Sequence, residues 1–193
     1  MLSHKKSLNI LRKTDALLEG HFVLSSGLHS SKYIQCAKLL SYPHIAEKIC
    51  KSLARKIKKN FSKFDLILSP AMGGIIIGYE IGKLLGKETI FCERVNKKFA
   101  LRRGFSINKN SKVLIVEDVI TTGKSSLECV TLIKRFNAKL VGFACLIDRT
   151  SKKKIKNRII SQVKLKIPTY KKNNLPSFIK DIPATKPGSR FLK

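Results

Sequence analysis

A chain of 193 residues with 43% hydrophobic content can bury a substantial core and is most simply one domain. Its charge is lopsided, with 40 Lys and Arg against 12 Asp and Glu and a formal net charge of +28. Two classes are disfavoured at once: no run approaches the ~18 apolar residues of a membrane span, and no apolar stretch of a secretory leader follows the N-terminal lysines. Excess positive charge suits nucleic acid or an anionic surface. Here the lysines are spread through helices and tail rather than gathered beside aromatics, which favours a solvated surface on an enzyme of anionic substrates. Cys36, Cys50, Cys92, Cys129 and Cys145 form no Cys-x-x-Cys pair, so reduced, mostly buried thiols and a cytoplasmic setting are expected. His4, His21, His29 and His44 have no ligand spacing among them, which argues against zinc.

In chain order, Ser7 to Leu18 reads as a first helix stopped by Gly20. His21 to Leu24 and Tyr33 to Cys36 read as two strands of a hairpin. An amphipathic helix follows Pro43, from about His44 to Lys59, with Ile45, Ile49, Leu53 and Ile57 on one face. Asp65 to Ser69 reads as a buried strand, Pro70 to Gly74 as a glycine-bearing anion loop, and Ile75 to Gly82 as a helix. Thr89 to Cys92 is another strand. The basic segment from Glu93 to Phe105 reads as an excursion with a hairpin turn near Asn96, either a solvated loop or a lid that carries cations to a phosphate.

The most informative stretch is residues 113–126. Val113 to Val116 is an apolar run that leads into the acids Glu117 and Asp118, then Val119, Ile120, Thr121, Thr122 and Gly123, and a helical pattern from Ser125 to Phe136. A buried parallel strand that ends in a small loop at a helix N-terminus offers free N–H groups and a positive dipole end to a phosphate. Thr121, Thr122, Ser125 and Ser126 would add hydroxyl donors. The two acids suit ribose hydroxyls or a divalent cation, which want carboxylate oxygens. Leu127, Val130, Ile133 and Phe136 are the expected apolar face of the helix. Lys139 to Ile147 is a strand that ends at Asp148-Arg149. Two readings stand for Arg149: a ligand contact at the C-terminal end of a parallel strand, or an ion pair with Asp148. Ser151 to Asn157 reads as a basic turn and Ser161 to Pro168 as a last strand. The alternation predicts an α/β fold, a mainly parallel central sheet with helices on both faces. A small hood (residues 1–40) lies over the C-terminal strand ends of a core (63–168), followed by an extended, loosely structured tail (169–193).

The acid pair followed by Thr-Thr-Gly resembles the 5-phosphoribosyl 1-pyrophosphate (PRPP) motif of type I phosphoribosyltransferases. With Leu18 to Phe22, Ser26 to Ser30, Tyr33 to Cys36, Ser69 to Gly74, Phe99 to Phe105, Asp148-Arg149 and Ile182 to Arg190, the chain is similar to orotate phosphoribosyltransferases, in the bacterial form with a Leu-Arg-Arg-Gly-Phe segment. The resemblance implies magnesium-dependent transfer of ribose 5-phosphate from PRPP to N1 of orotate, giving orotidine 5′-monophosphate and pyrophosphate in pyrimidine biosynthesis. It implies that Glu117 and Asp118 hold ribose hydroxyls and that Thr121, Thr122, Gly123, Lys124 and Ser125 form the 5′-phosphate loop, with Val119 and Ile120 also among the PRPP-binding residues. Gly73 and Gly74 would take the pyrophosphate. Arg94, Lys97 and Lys98 would form a catalytic loop shared across a homodimer, with Lys98 assisting the leaving group beside the catalytic Asp118. Thr121, Arg149, Tyr33 and Ile34 would surround orotate, and Mg2+ would travel with PRPP near Asp118 without a direct ligand set. From the apolar runs and the charge pattern, no membrane partner is expected and nucleic acid is disfavoured. The chain departs from the short-loop form of the family, having Ser25 and Met72-Gly73 where that form has lysine-bearing segments. Arg102, Arg103 or Lys124 could supply the missing charge.

Overall fold

A computed structural model describes residues 1–24, 26–150 and 155–187. Ser25, residues 151–154 of the expected basic turn and residues 188–193 of the tail therefore lie outside the described residues. The elements are α1 (His4–Lys13), β1 (Leu17–Val23), β2 (His29–Ile34), α2 (Cys36–Leu40), α3 (Pro43–Asn60), β3 (Leu66–Pro70), α4 (Gly73–Leu85), β4 (Glu88–Val95), β5 (Lys98–Ala100), β6 (Lys112–Ile120), α5 (Lys124–Arg135), β7 (Lys139–Asp148), β8 (Ile159–Lys164) and α6 (Ser177–Lys180). The main sheet has the order β5-β4-β3-β6-β7-β8, with β5 antiparallel at one edge and the others parallel. The α/β class read from the sequence is the one observed.

Strand periodicity explains how the sheet is covered. Ile67, Leu114, Val116, Ala144 and Leu146 point to one face, where they join Ile49, Leu53 and Ile57 of α3 and Ile77 and Ile81 of α4. Their neighbours Leu66, Leu68, Val113, Ile115, Phe143 and Cys145 point to the other, against Cys129, Leu132 and Ile133 of α5. Side chains alternate along a strand, so a strand covered on both sides must be apolar at every position. That is why the central strands read as unbroken apolar runs.

Several boundaries differ from the sequence reading. The first helix ends at Lys13, because Thr14 caps it and Asp15 turns into the left-handed region at φ 52°. Leu17 and Leu18 therefore belong to β1. Cys36 opens a short helix instead of closing a strand, and the last strand is shifted to Ile159–Lys164. The inward face of α5 is Ser126, Cys129, Leu132 and Ile133, whereas Leu127 is 41% exposed. The described part of the tail is also tied down. Tyr170 exchanges backbone hydrogen bonds with His29 at 2.8 Å, Thr185 N–H donates to His21 O at 2.9 Å, and Val23 N–H donates to Thr185 O at 2.8 Å. His21 Nδ1 lies 2.8 Å from Ile182 O, and its Nε2 lies 2.6 Å from Nδ1 of the buried His29. The tail thus extends the β1–β2 hood, and Cys36 Sγ at the hood's end lies 4.0 Å from Asp118 O, over the C-terminal end of β6.

Ending the chain at Asp181 would remove three of these hydrogen bonds, each worth about 1 kcal/mol net. The truncated chain should lose about 3 kcal/mol of unfolding free energy in urea titration. An unchanged midpoint would show that the strap contributes nothing to the hood.

Candidate active site

The site is built where β3, β6 and β7 end. The strand run of β6 stays buried through Val116, and then polar residues begin. Glu117 and Asp118 are consecutive, so their side chains leave β6 on opposite faces. Glu117 is buried and accepts a hydrogen bond from the hydroxyl of Ser126 in the first turn of α5. Ser126 therefore serves the acid rather than a phosphate, which corrects the expectation that it is a free donor. Asp118 faces the start of α4, where a Cβ placed on Gly73 would lie 2.7 Å from Asp118 Oδ2. Only a glycine lets the backbone of α4 come this close to the carboxylate.

Two helix N-termini open beside these acids. α5 begins after Gly123, which sits at φ 75° in the left-handed region. α4 begins after Met72, which follows a cis peptide with Ala71. Neither helix has a side-chain cap or an acid in its first turn. Apart from Lys124 N–H, which donates to Thr122 Oγ1 at 3.4 Å, and Ile75 N–H, which donates to Met72 O at 3.2 Å, their first-turn N–H groups and positive dipole ends are open to an outside anion. Thr121, Thr122 and Lys124 are exposed around the α5 terminus, Ser125 and Val119 are half-buried, and Ile120 is buried. Gly73 is exposed, and Gly74 is packed against β6, where its Cβ would lie 3.3 Å from Val116 O.

Arg149 leaves the end of β7, and its N–H donates to Ile120 O at 2.8 Å. Its Nε is buried without a hydrogen-bond partner among the described residues, and burial lowers its pKa. It lines a cavity of about 910 Å³ together with Asp148, Thr150, Lys164, Lys166 and Pro168. The ion pair with Asp148 considered from the sequence is replaced by one between Asp148 and Lys164 at 3.6 Å. Tyr33 and Ile34 lie on β2 of the hood. The Tyr33 ring is 5.9 Å from that of Phe22, and neither residue lines the Arg149 cavity.

The basic excursion is a hairpin, β4–β5, with Asn96 and Lys97 at φ 48° and 64° in its turn. Arg94 is anchored there: it donates to Lys97 O at 2.8 Å, pairs with Glu128 of α5 at 2.7 Å and lies 4.2 Å over the Phe99 ring. Lys97 and Lys98 flank Thr131, Leu132 and Arg135. These positions are seven or more residues along α5 from Lys124, about 10 Å at 1.5 Å per residue. Glu128, which Arg94 binds and which lines the same groove, is four residues from Lys124, so the hairpin packs along α5 from about one turn past its N-terminus. Arg103 binds Glu93 through Nε at 3.1 Å and a terminal nitrogen at 2.6 Å, and Arg102 lies 3.9 Å from the same carboxylate. The partners Glu128, Glu93 and Thr150 escape sequence reading, because each pairing spans a turn or two elements and leaves no periodic mark.

The described residues contain no cluster of three or more His, Cys, Asp or Glu that could cage a metal. Asp118 alone beside an uncapped anion site fits a Mg2+ that arrives on substrate oxygens, since that ion keeps much of its shell from phosphates and water.

The two acids carry different electrostatic loads. Burial pushes Glu117 from 4.5 up to about 7, opposed by the Ser126 hydrogen bond and aided by the charge of Asp118. Asp118 is also raised, by burial, against the backbone N–H groups of Val119 and Asp118. Because the folded pKa of Glu117 lies above its unfolded one, the associated stability is full below about pH 4.5 and lost as pH rises through about 7. The loss is about 3 kcal/mol. Glu117→Gln keeps an oxygen for Ser126 and has no charge to desolvate. Relative to the parent, its unfolding free energy should therefore rise by about 3 kcal/mol between pH 4.5 and 8. Parallel pH profiles would contradict a carboxylate held in this environment.

The chain is similar to known proteins. A profile of the phosphoribosyl transferase domain matches residues 39–176. An orotate phosphoribosyltransferase of Parvibaculum lavamentivorans is 43% identical over 193 residues, covering 99% of this chain and 100% of that protein. The crystal structure of orotate phosphoribosyltransferase from Aeropyrum pernix superposes with a TM-score of 0.69 at 23% identity, over 82% of this chain and 93% of that one. Adenine phosphoribosyltransferase from Thermoanaerobacter pseudethanolicus superposes with a TM-score of 0.60 at 20% identity, over 69% and 88%. The fold is thus common to enzymes of different bases, and the near full-length 43% match selects among them. The chain belongs to the phosphoribosyl transferase domain family, within its orotate phosphoribosyltransferases.

Proposed function

We propose that the chain transfers ribose 5-phosphate from PRPP to N1 of orotate, releasing pyrophosphate and forming orotidine 5′-monophosphate in pyrimidine biosynthesis. The observation that carries this reading is the meeting of two uncapped helix N-termini across Asp118, one at Gly73 and one at Gly123, with Arg149 at the adjacent strand end. A ligand with an anionic group at each end and hydroxyls between them suits that order of groups.

Each residue then has a chemical task. The N–H groups of residues 122–125 and the hydroxyls of Thr121, Thr122 and Ser125 receive the 5′-phosphate, with Lys124 adding charge. Asp118 accepts from the ribose hydroxyls, and Glu117 supports the same stretch from the α5 side. Gly73 and Gly74 present backbone to the pyrophosphate. Arg149 donates to a carbonyl oxygen of the base; the family resemblance adds Thr121, Tyr33 and Ile34, of which the last two lie on the hood outside the Arg149 cavity and would have to meet the base from there. As the glycosidic bond lengthens, the ribose carbon becomes cationic and the pyrophosphate more negative. Fixed helix dipoles that already face the leaving group lower the barrier, since they need not reorganise, and cations brought to it would add to the effect. Mg2+ on the substrate would add Lewis-acid neutralisation of the same charge.

Cations for the pyrophosphate are sparse within one chain, with Met72-Gly73 in its loop and Lys97, Lys98 and Arg94 held along α5. A homodimer in which each hairpin serves the partner's site would resolve this. Met72, Ile76 and Tyr79 form an exposed apolar stripe at i, i+4 and i+7 on α4 that supports such a face. Five free, buried cysteines and no helix long and apolar enough to cross a membrane among the described residues support a cytoplasmic setting.

Mixing the protein with orotate, PRPP and Mg2+ should deplete the orotate absorbance. No turnover at any Mg2+ concentration would sink the reading. Asp118→Asn should lower kcat/KM by at least about a hundredfold without loss of folding; a normal rate would remove Asp118 from the reaction. If hairpins cross between subunits, inactive Lys98→Ala and Asp118→Asn chains should regain about a quarter of the parent rate when mixed at equal amounts and allowed to exchange. No recovery on verified exchange would refute sharing.

A further inference from the structure

The end of β7 holds a buried acid to which the transfer assigns no task. Asp148 is 4% exposed and stands in register between Ile120 of β6 and Lys164 of β8. Its Oδ1 accepts from Thr150 N–H at 2.8 Å and from the Thr150 hydroxyl at 2.7 Å, and its Oδ2 lies 3.6 Å from Lys164 Nζ. Both oxygens are therefore engaged away from the neighbouring arginine. On the other side, Arg149 N–H donates to Ile120 O at 2.8 Å.

The peptide groups before and after Arg149 are thus both pinned, one to β6 and one to Asp148. Peptide groups are planar, so fixing two in succession fixes φ and ψ of the residue between them. That sets the direction of its Cα–Cβ bond. The arginine leaving along this bond carries a buried Nε without a hydrogen-bond partner among the described residues and lines the open cavity. A buried guanidinium N–H without an acceptor is costly, so the arrangement is stable only because something fixes it there or a ligand completes it.

We propose that Asp148 is a positioning residue for the base-binding arginine. It locks the turn through Thr150 and takes its counter-charge from Lys164, which aims Arg149 at the cavity without neutralising it. The acid beside the arginine acts as a brace, and base selectivity depends on its acceptor oxygen rather than on its charge. This inference rests on the reading of Arg149 as the orotate contact.

The test measures KM for orotate and for PRPP, kcat, and the Kd of orotidine 5′-monophosphate in four variants. Arg149→Ala sets the ceiling for loss of the base contact. Asp148→Ala should raise KM for orotate and the product Kd by about ten- to a hundredfold, with kcat at saturation and KM for PRPP within about threefold. Asp148→Asn retains an oxygen for Thr150 and should stay within about threefold of the parent throughout. Thr150→Val drops the hydroxyl but keeps the N–H and should give an intermediate rise in orotate KM alone. The proposal is overturned if Asp148→Ala raises both KM values alike or leaves orotate unaffected, or if Asp148→Asn is as impaired as Asp148→Ala. Should Asp148→Ala fail to fold, Thr150→Val decides by the same split. If Arg149→Ala itself leaves orotate KM unchanged, the base-contact reading fails; if only the Asp148 and Thr150 variants are silent, positioning alone fails.

Discussion

Asp118 sits where a strand buried on both faces runs out of apolar neighbours, and the architecture of the site follows from what its carboxylate can touch. The α4 backbone approaches it so closely that a Cβ on Gly73 would lie 2.7 Å from Oδ2. This contact draws the α4 N-terminus to the end of β6. It thereby brings two unsatisfied helix ends into one region, since α5 starts only a few residues after the same strand. A carboxylate between two helix ends without side-chain caps is an unusual choice for binding phosphates alone. It makes sense where the molecule bound there carries hydroxyls between its two anionic groups.

The second acid shows how much the strand alternation decides. Glu117 differs from Asp118 by one position and so faces the opposite layer, where burial pushes it up to about 7 and Ser126 is its donor. Two neighbouring acids that look equivalent in sequence have unlike environments. The cations divide in a similar way. Arg94, Arg102 and Arg103 are committed to Glu128 and Glu93, and exposed pairs of this kind add little stability. They leave Lys97 in the turn and Lys98 at the start of β5 exposed.

Much of the fold was legible because its signals are local. The buried strands 66–70, 112–120 and 139–148 carry unbroken apolar runs, α3 has a clear stripe behind Pro43, and Asn96 marks the hairpin turn. The acid pair and Thr-Thr-Gly marked the turn from β6 into α5 for the same reason. What sequence could not provide depends on contacts distant along the chain. Ala16-Leu17-Leu18 fits a helix or a strand, and only Asp15 at φ 52° decides between them. The tail looked loose because Thr185 and Tyr170 find their partners more than a hundred residues away, on the hood. The face of α5 was misphased because a serine and a cysteine, rather than the largest apolar residues, point inward. At the site, the partner of Arg94 and the diversion of Asp148 to Thr150 and Lys164 leave no pattern in the sequence.

The central claim is that one ligand spans the Gly123 loop, Asp118 and Arg149. A crystal structure with orotidine 5′-monophosphate tests it most directly. The account predicts the phosphate on the N–H groups of residues 122–125, the ribose hydroxyls on Asp118, and a base oxygen within hydrogen-bond distance of Arg149. A phosphate bound elsewhere, or a ribose turned away from Asp118, would contradict it.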